Sequence, residues 1–144
     1  MRSRLFLAPI LACLAFAPLT TTALFAHGDV QPQPIDTTGL DPLKEGEWLP
    51  ENPYVGNKRA IEIGASGYNQ NCARCHGLEA ISGGLAPDLR YLELGKAGDE
   101  WFLDRIRHGS KKPDGSTMMP GFEGVINQEA MWAIRAYLVT LHQE

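Results

Sequence analysis

The sequence predicts a single helical domain that follows an export signal and a proline-rich arm. Three observations predict it. Apolar residues recur at helical spacing in three segments, glycine and proline interrupt the stretches between those segments, and no strand pattern precedes Cys72. A chain of 144 residues is long enough for one domain with its own core.

Residues 1–26 have the features of a secretory signal peptide. The first four residues include two arginines, residues 5–17 are apolar, and the segment ends in small and apolar residues. We expect cleavage after Ala26, with Ala23 as the second choice. The alternative is a retained membrane anchor, which the prolines and threonines of this segment disfavour.

Residues 27–56 form the proline-rich arm. The arm holds five of the ten prolines of the chain, and their spacing excludes a long helix. Leu43, Trp48 and Tyr54 are apolar residues with little reason to lie in water. We therefore predict that the arm lies on the following domain, which spans residues 57–144; the alternative is a tether whose aromatic residues contact a partner.

Residues 57–71 are predicted to form the first helix. Five residues are available for one face of it: Ala60, Ile61, Gly64, Gly67 and Tyr68. A glycine within a helix costs about 1 kcal/mol relative to alanine. The usual compensation is the close approach of a second helix, and we expect the last helix of the chain to approach Gly64.

The sequence C-x-x-C-H at residues 72–76 is the attachment signature of a c-type haem. Cys72 and Cys75 lie one helical turn apart, so each thiol can add to one vinyl group along one edge of a porphyrin. His76 then faces the iron as the proximal ligand. The alternatives are half of a zinc site or a thioredoxin-like redox pair. No other cysteine lies outside the signal segment, and no strand pattern precedes the motif, so one covalent haem c is expected.

Two loops and a short helix follow the motif. Residues 77–89 are predicted to be loop, and residues 99–108 an amphipathic helix with Asp99 and Glu100 near its positive N-terminus. The inward face of this helix is predicted to consist of Trp101, Phe102 and Ile106. Gly109 should end the helix.

The last helix is predicted to follow a second loop, residues 110–124, and to begin after an N-cap at Asn127. One apolar stripe of this helix consists of Ala130, Met131, Ile134, Tyr137, Leu138 and Leu141. Trp132 and Val139 lie on the opposite face. One side should meet the first helix, and the proline-rich arm is a candidate to cover the other.

These residues resemble, in the same order, a class I cytochrome c. The resemblance covers residues 57–144 and rests on Gly64, Tyr68, the C-x-x-C-H motif, and the segments 86–89, 119–122 and 132–138. It implies an all-α haem fold whose first and last helices cross. It also implies that the carbonyl of Pro87 accepts a hydrogen bond from His76, which orients the ring and makes it a stronger ligand.

The same resemblance implies a methionine as the sixth iron ligand. Met119 is the expected ligand because Pro120 follows it, and Met118 is the alternative. Iron held by histidine and methionine has no vacant position, so it carries single electrons rather than catalysing a reaction. Were the iron open, a gas sensor or a peroxidase would be the alternative.

A narrower resemblance involves the arm. Residues 46–54, 64–72 and 77–80 are similar to periplasmic cytochromes c that accept electrons from quinoprotein (PQQ-dependent) ethanol dehydrogenases. This resemblance implies an electron carrier of the periplasm, with such an alcohol dehydrogenase as donor and a terminal oxidase or another cytochrome as acceptor. The alternative is a general respiratory cytochrome c.

The charge of the chain excludes one class of partner. Lysine and arginine number 13 and aspartate and glutamate 17, and loss of the two signal arginines leaves 11 against 17, a net charge of −6. An acidic protein without a basic stripe is not expected to bind nucleic acid. We expect a soluble monomer once the signal is removed.

Overall fold

The computed structural model describes residues 31–144. Its helices are α1 (Lys58–Asn71), α2 (Ala73–His76), α3 (Gly95–His108) and α4 (Gln128–Thr140), with single 3₁₀ turns at Leu78–Ala80 and Leu89–Tyr91. The signal peptide predicted for residues 1–26, and the beginning of the arm, lie outside the described residues. Within residues 31–144, every helix is too short or too polar to cross a bilayer.

Helices α1 and α4 cross at Gly64. A Cβ atom placed on Gly64 would lie 1.9 Å from the carbonyl oxygen of Ala133, so only glycine permits this approach. One turn later, the rings of Tyr68 and Tyr137 lie with their centroids 5.6 Å apart. The predicted crossing of the first and last helices is therefore confirmed.

Asparagine side chains begin both crossing helices. Asn57 accepts a hydrogen bond from the backbone N–H of Ala60 at 3.1 Å, and Asn127 accepts one from Ala130 at 2.9 Å. Each bond satisfies a donor that the first turn of a helix leaves without a partner. The N-cap predicted at Asn127 is confirmed.

The arm covers the side of α4 that faces away from α1. The backbone N–H groups of Leu43 and Leu49 donate to the side chains of Glu129 and Gln128, each at 2.8 Å. Tyr54 is buried, and Trp48 packs against the core. The described part of the arm thus lies on the helical domain, as predicted, and is not a free tether.

Helix α3 begins one turn earlier than predicted, which changes the position of Asp99. Asp99 lies in the second turn and is buried, and its carboxylate accepts a hydrogen bond from the Nε–H of Arg135 at 2.7 Å. The same carboxylate accepts the backbone N–H of Asn52, in the arm, at 2.9 Å. The expectation that Asp99 only marks a helix start is wrong, because its carboxylate is the counter-charge of a buried arginine of α4.

Trp101 does not lie in the buried core with the other two residues of the predicted inward face. The buried side of α3 includes Phe102, Leu103 and Ile106, whereas Trp101 lies beside this stripe and is 47% exposed. The guanidinium group of Arg105, one turn further on, lies 5.4 Å from the centre of its ring.

The segment predicted as the second loop contains a short antiparallel pair. Strand β1 (Ser110–Lys111) pairs with β2 (Thr117–Met119), so that Ser110 lies opposite Met119 and Lys111 opposite Thr117, with an irregularity between the two residues of β1. Gly109 ends α3 as predicted, with a φ of 71°. This hairpin carries Met119 back towards the helices.

Candidate haem-binding site

A cavity of about 280 Å³ opens between α1, α3 and α4. Its wall is mainly apolar and includes Phe102 of α3 and Ile134 of α4. The residues predicted as haem or iron ligands all line this one cavity: Cys72, Cys75, His76, Met118 and Met119. Residues far apart in the sequence therefore converge on one apolar space.

The imidazole ring of His76 is held in one orientation. His76 is buried, and its Nδ1 lies 2.8 Å from the carbonyl oxygen of Pro87. Because a carbonyl can only accept, Nδ1 carries the proton and donates it, which leaves Nε2 as the nitrogen available to a metal. This is the contact that the resemblance implies.

The loop that carries Pro87 is ordered by its neighbour Asp88. The Asp88 carboxylate accepts hydrogen bonds from the backbone N–H of Arg90 at 3.0 Å and from that of Ser82 at 3.4 Å. The side chain of Arg90 also donates to both carboxylate oxygens. This side-chain hydrogen bond is the main cause that lowers the pKa of Asp88 to about 2, so the loop is tied together by a charged group at neutral pH.

A tight turn follows His76 at Gly77. Gly77 has a φ of 82°, and a Cβ atom on it would lie 1.9 Å from the carbonyl oxygen of Ile81. The hydroxyl of Tyr68 donates to the carbonyl of Gly77 at 2.8 Å. Helix α1 therefore fixes the chain on both sides of the C-x-x-C-H motif, because the N–H of Cys72 also bonds to the carbonyl of Tyr68 at 2.7 Å.

The two cysteines lie side by side on the cavity wall. The N–H of Cys75 donates to the carbonyl of Cys72 at 3.1 Å, which places the two residues on one turn. The spacing and position are those that addition to two neighbouring vinyl groups requires.

The structure distinguishes the two candidate methionines. Met119 is half-buried and packs against the core, whereas Met118 is 64% exposed, although both line the cavity. Met131 is fully buried in the core, as expected. His108 is exposed, bonds to Asp104 at 2.9 Å and lies outside the cavity lining.

One charged residue of the cavity lining is not predicted from the sequence. Trp101 and Arg105 both face the cavity from α3, and Arg105 is the one lysine or arginine of the described lining. The four-residue spacing of this pair is the signal that could have identified Arg105, since it places both residues on the same face of a helix.

The lining fits a haem. Haem is a flat apolar macrocycle with two carboxylates, and the cavity offers an apolar wall with a single guanidinium group to offset negative charge. Leu85 and Met118 line the cavity and are 77% and 64% exposed, so an apolar rim surrounds the space that a macrocycle would fill.

Comparisons with known proteins identify the family. A protein-family model described as cytochrome C oxidase, cbb3-type, subunit III, matches residues 59–138. A cytochrome c550 of Pseudomonas aeruginosa is 55% identical over 136 residues, which cover 92% of this chain and 92% of that protein. The chain belongs to the class I c-type cytochromes. As members of this family do, the cytochrome binds one haem c covalently and transfers electrons, and it is not an enzyme.

Other similarities are partial. A quinohemoprotein alcohol dehydrogenase of Pseudomonas putida, ADH-IIG, is 41% identical to the cytochrome over 100 residues, which cover 66% of this chain but 13% of that much longer protein. The cbb3-type oxidase subunit FixP of Rhizobium meliloti is 37% identical over 99 residues, 64% of this chain and 33% of that protein.

A solved structure supports the fold. Cytochrome CL of Methylophaga aminisulfidivorans superimposes with a TM-score of 0.54 at 24% identity, over 64% of this chain and 59% of that one. The all-α cytochrome c fold predicted for the chain is confirmed.

Proposed function

We propose that this cytochrome carries single electrons in the periplasm from a PQQ-dependent alcohol dehydrogenase to a terminal oxidase or another cytochrome. In this proposal residues 1–26 are removed on export, residues 27–56 are an arm, residues 57–144 hold the haem, and the mature protein is a soluble monomer. The observation that carries the electron-transfer role is the convergence of His76 and Met119 on one cavity.

The proposed ligand set consists of five residues of this cavity. Cys72 and Cys75 form the thioethers, His76 and Met119 are the axial ligands, and Pro87 holds His76. Haem c supplies a one-electron iron couple when it is bound.

Each ligand favours electron transfer over catalysis. The bond to the Pro87 carbonyl fixes the His76 ring and increases its basicity. The thioether of Met119 would be the second iron ligand from this chain and would favour reduced iron, which would raise the potential. With both residues as ligands, substrate and oxygen would have no place on the metal, and this argues against a gas sensor or a peroxidase.

The ligand set is tested by truncating each methionine of the β2 strand. Met119→Ala should keep covalent haem but lose the weak far-red band typical of methionine-bound iron, bind carbon monoxide when reduced, and lower the potential. Met118→Ala, the matched control one residue away, should keep the band because its side chain is largely exposed. Loss of the band in Met118→Ala alone would shift the assignment to Met118.

The proposed donor is supported by similarity and by surface chemistry. The matching region of ADH-IIG is part of a protein named as a quinohemoprotein alcohol dehydrogenase. Domains related to this cytochrome therefore occur within such enzymes. Reduced pyrroloquinoline quinone gives up two electrons, whereas one haem accepts one, so each alcohol requires two encounters. Short-lived complexes use small interfaces, and the exposed apolar rim at Leu85, Trp101 and Met118 offers one.

The donor is tested by stopped-flow reduction of the oxidised cytochrome. On mixing with the cognate dehydrogenase and ethanol, the reduced haem band should appear rapidly, with a modest dependence on salt because apolar contacts at the rim dominate. Leu85→Ser should slow this reduction. Val55→Ser should not, because Val55 is also exposed but lies in the arm, outside the cavity lining. Equal rates for the two variants would remove the rim from the proposed interface.

A general respiratory carrier is the second candidate. It is favoured by the description of the matching family and by the similarity to an oxidase subunit. Absence of reduction by the dehydrogenase, together with fast reduction by a quinol–cytochrome c oxidoreductase, would select it.

A further inference from the structure

We propose that the C-terminal end of α3 positions the iron ligand Met119, through two glycines, Gly109 and Gly121, that allow the chain after Met119 to pack directly on that helix end. The proposal rests on the assignment of Met119 as ligand. We name this contact the glycine clamp: Gly109 and Gly121 with the backbone that each one touches.

Gly109 touches the backbone of the ligand segment itself. A Cβ atom on Gly109 would lie 2.2 Å from the carbonyl oxygen of Met119 and 2.7 Å from the carbonyl carbon of Pro120. Gly109 also has a φ of 71° and a ψ of −155°, a region that only glycine occupies without strain. Both the space and the backbone conformation at this position therefore exclude any side chain.

Gly121 makes the reciprocal contact. A Cβ atom on Gly121 would lie 2.6 Å from the carbonyl oxygen of Arg107, in the last turn of α3. The two residues after Gly121 then bond to the same turn: the N–H of Phe122 donates to the carbonyl of Ile106 at 2.9 Å, and that of Glu123 to Arg107 at 3.4 Å. The ligand segment thus satisfies carbonyls that the end of a helix leaves without a partner.

The clamp is needed because the hairpin cannot hold Met119 alone. Strands β1 and β2 have two and three residues, and residues 111–118 are all exposed. A two-stranded hairpin of this size is not stable by itself. Helix α3, by contrast, is fixed, since Phe102 and Ile106 lie in the core and Asp99 pairs with the buried Arg135. The position of the Met119 backbone, and hence of its sulfur, is set by α3 through the clamp.

The test uses alanine substitutions with controls matched in backbone conformation. Gly121→Ala adds a clash without a positive φ, and its control is Gly83→Ala, where a Cβ meets no atom within 4 Å. Gly109→Ala adds a clash at positive φ. Its control is Gly115→Ala, in the same hairpin, with a φ of 85° and open space around the Cβ.

We expect both clamp variants to retain covalent haem and the helical circular dichroism of the wild type, but to weaken or lose the far-red methionine–iron band. Imidazole, added as a competing ligand to the oxidised protein, should bind about tenfold more tightly to the clamp variants, because the state without methionine bound becomes more populated. The two controls should bind imidazole within about twofold of the wild type.

Two failures can be told apart. If Met119→Ala keeps the band, the ligand assignment fails and the clamp has no ligand to position. If Met119→Ala loses the band while the clamp variants keep it and bind imidazole like their controls, the ligand stands and the clamp is refuted. If one clamp variant does not fold, the other still decides between these outcomes, because the two substitutions are at different backbone conformations.

Discussion

The buried pair formed by Asp99 and Arg135 should dominate the response of this cytochrome to a single charge change. The Arg135 side chain is 1% exposed and the Asp99 side chain 6%, with Nε and Oδ1 separated by 2.7 Å. Asp99→Asn removes the negative charge and keeps the shape. Arg135 would then retain the carbonyl of Glu93 as a neutral acceptor and the face of Phe102, 6.0 Å away, but no counter-charge.

The size of the effect follows from the cost of a buried cation without a partner. Removing one member of a buried ion pair costs about 3–5 kcal/mol, much more than the pair contributes relative to apolar residues. With an m-value of about 2–4 kcal/mol/M in guanidinium chloride, a loss of about 4 kcal/mol lowers the midpoint by about 1–2 M. Since Asn52 also donates its backbone N–H to Asp99, the arm should become more sensitive to limited proteolysis in the same variant.

The neighbouring residue supplies the control. Glu100→Gln makes the same carboxylate-to-amide change on the same helix, but Glu100 faces Lys96 at 4.0 Å with both side chains more than half exposed. An exposed pair of this kind contributes about 0–1 kcal/mol. If guanidinium unfolding of the holoprotein gave Asp99→Asn and Glu100→Gln the same midpoint, the buried pair would not carry the role assigned to it.

Three further outcomes are expected. Gly64→Ala should lower the free energy of unfolding by about 3 kcal/mol, because the new methyl group meets the carbonyl of Ala133 at 1.9 Å. Gly83→Ala, in open space, should leave the free energy of unfolding unchanged, and denaturant titration compares the two variants. The Arg90 hydrogen bond lowers the pKa of Asp88 to about 2, so Asp88 stabilises the native state above its unfolded pKa of about 4. The wild type should therefore be more stable than Asp88→Asn at neutral pH, and this advantage should disappear as the pH falls from about 4 to about 2. Replacing both cysteines of the C-x-x-C-H motif by alanine should leave little folded protein, since a small domain relies on its cofactor for part of the core; native-like circular dichroism of that haem-free variant would contradict this.

The sequence correctly predicts the features in which a residue or backbone group is unfavourable unless a specific partner contacts it. A glycine within α1 loses stability unless a second helix approaches, so Gly64 predicts the crossing with α4. The order of the cysteines and the histidine in the motif follows from the chemistry of haem attachment. Asn127 satisfies backbone N–H donors that every helix start leaves without a partner. The candidate ligands all line one cavity in the structure, although each was identified separately.

The features that the sequence does not predict depend on partners far away in the chain. Asp99 and Arg135 are charged residues on two amphipathic helices, and each alone is typical of a solvated surface; only the folded chain brings them together. The β1 and β2 strands have only two and three residues, too few for an alternating pattern, and their geometry comes from the packing of Gly109 and Gly121 on α3 rather than from strand propensity.

The crossing of α1 and α4 has a consequence for how the protein is made. Of the seventeen fully buried apolar residues in the described chain, seven belong to α4, the last helix to be synthesised. Until those residues emerge, α1 lacks its main packing partner, and its contacts with α4 span most of the domain in sequence. The nascent chain therefore stays open to proteases and to aggregation until it is nearly complete. A stop codon at the beginning of α4 would remove seven of the seventeen buried apolar residues while leaving the haem-attachment motif intact, and cellular quality control would clear the product before it could carry an electron.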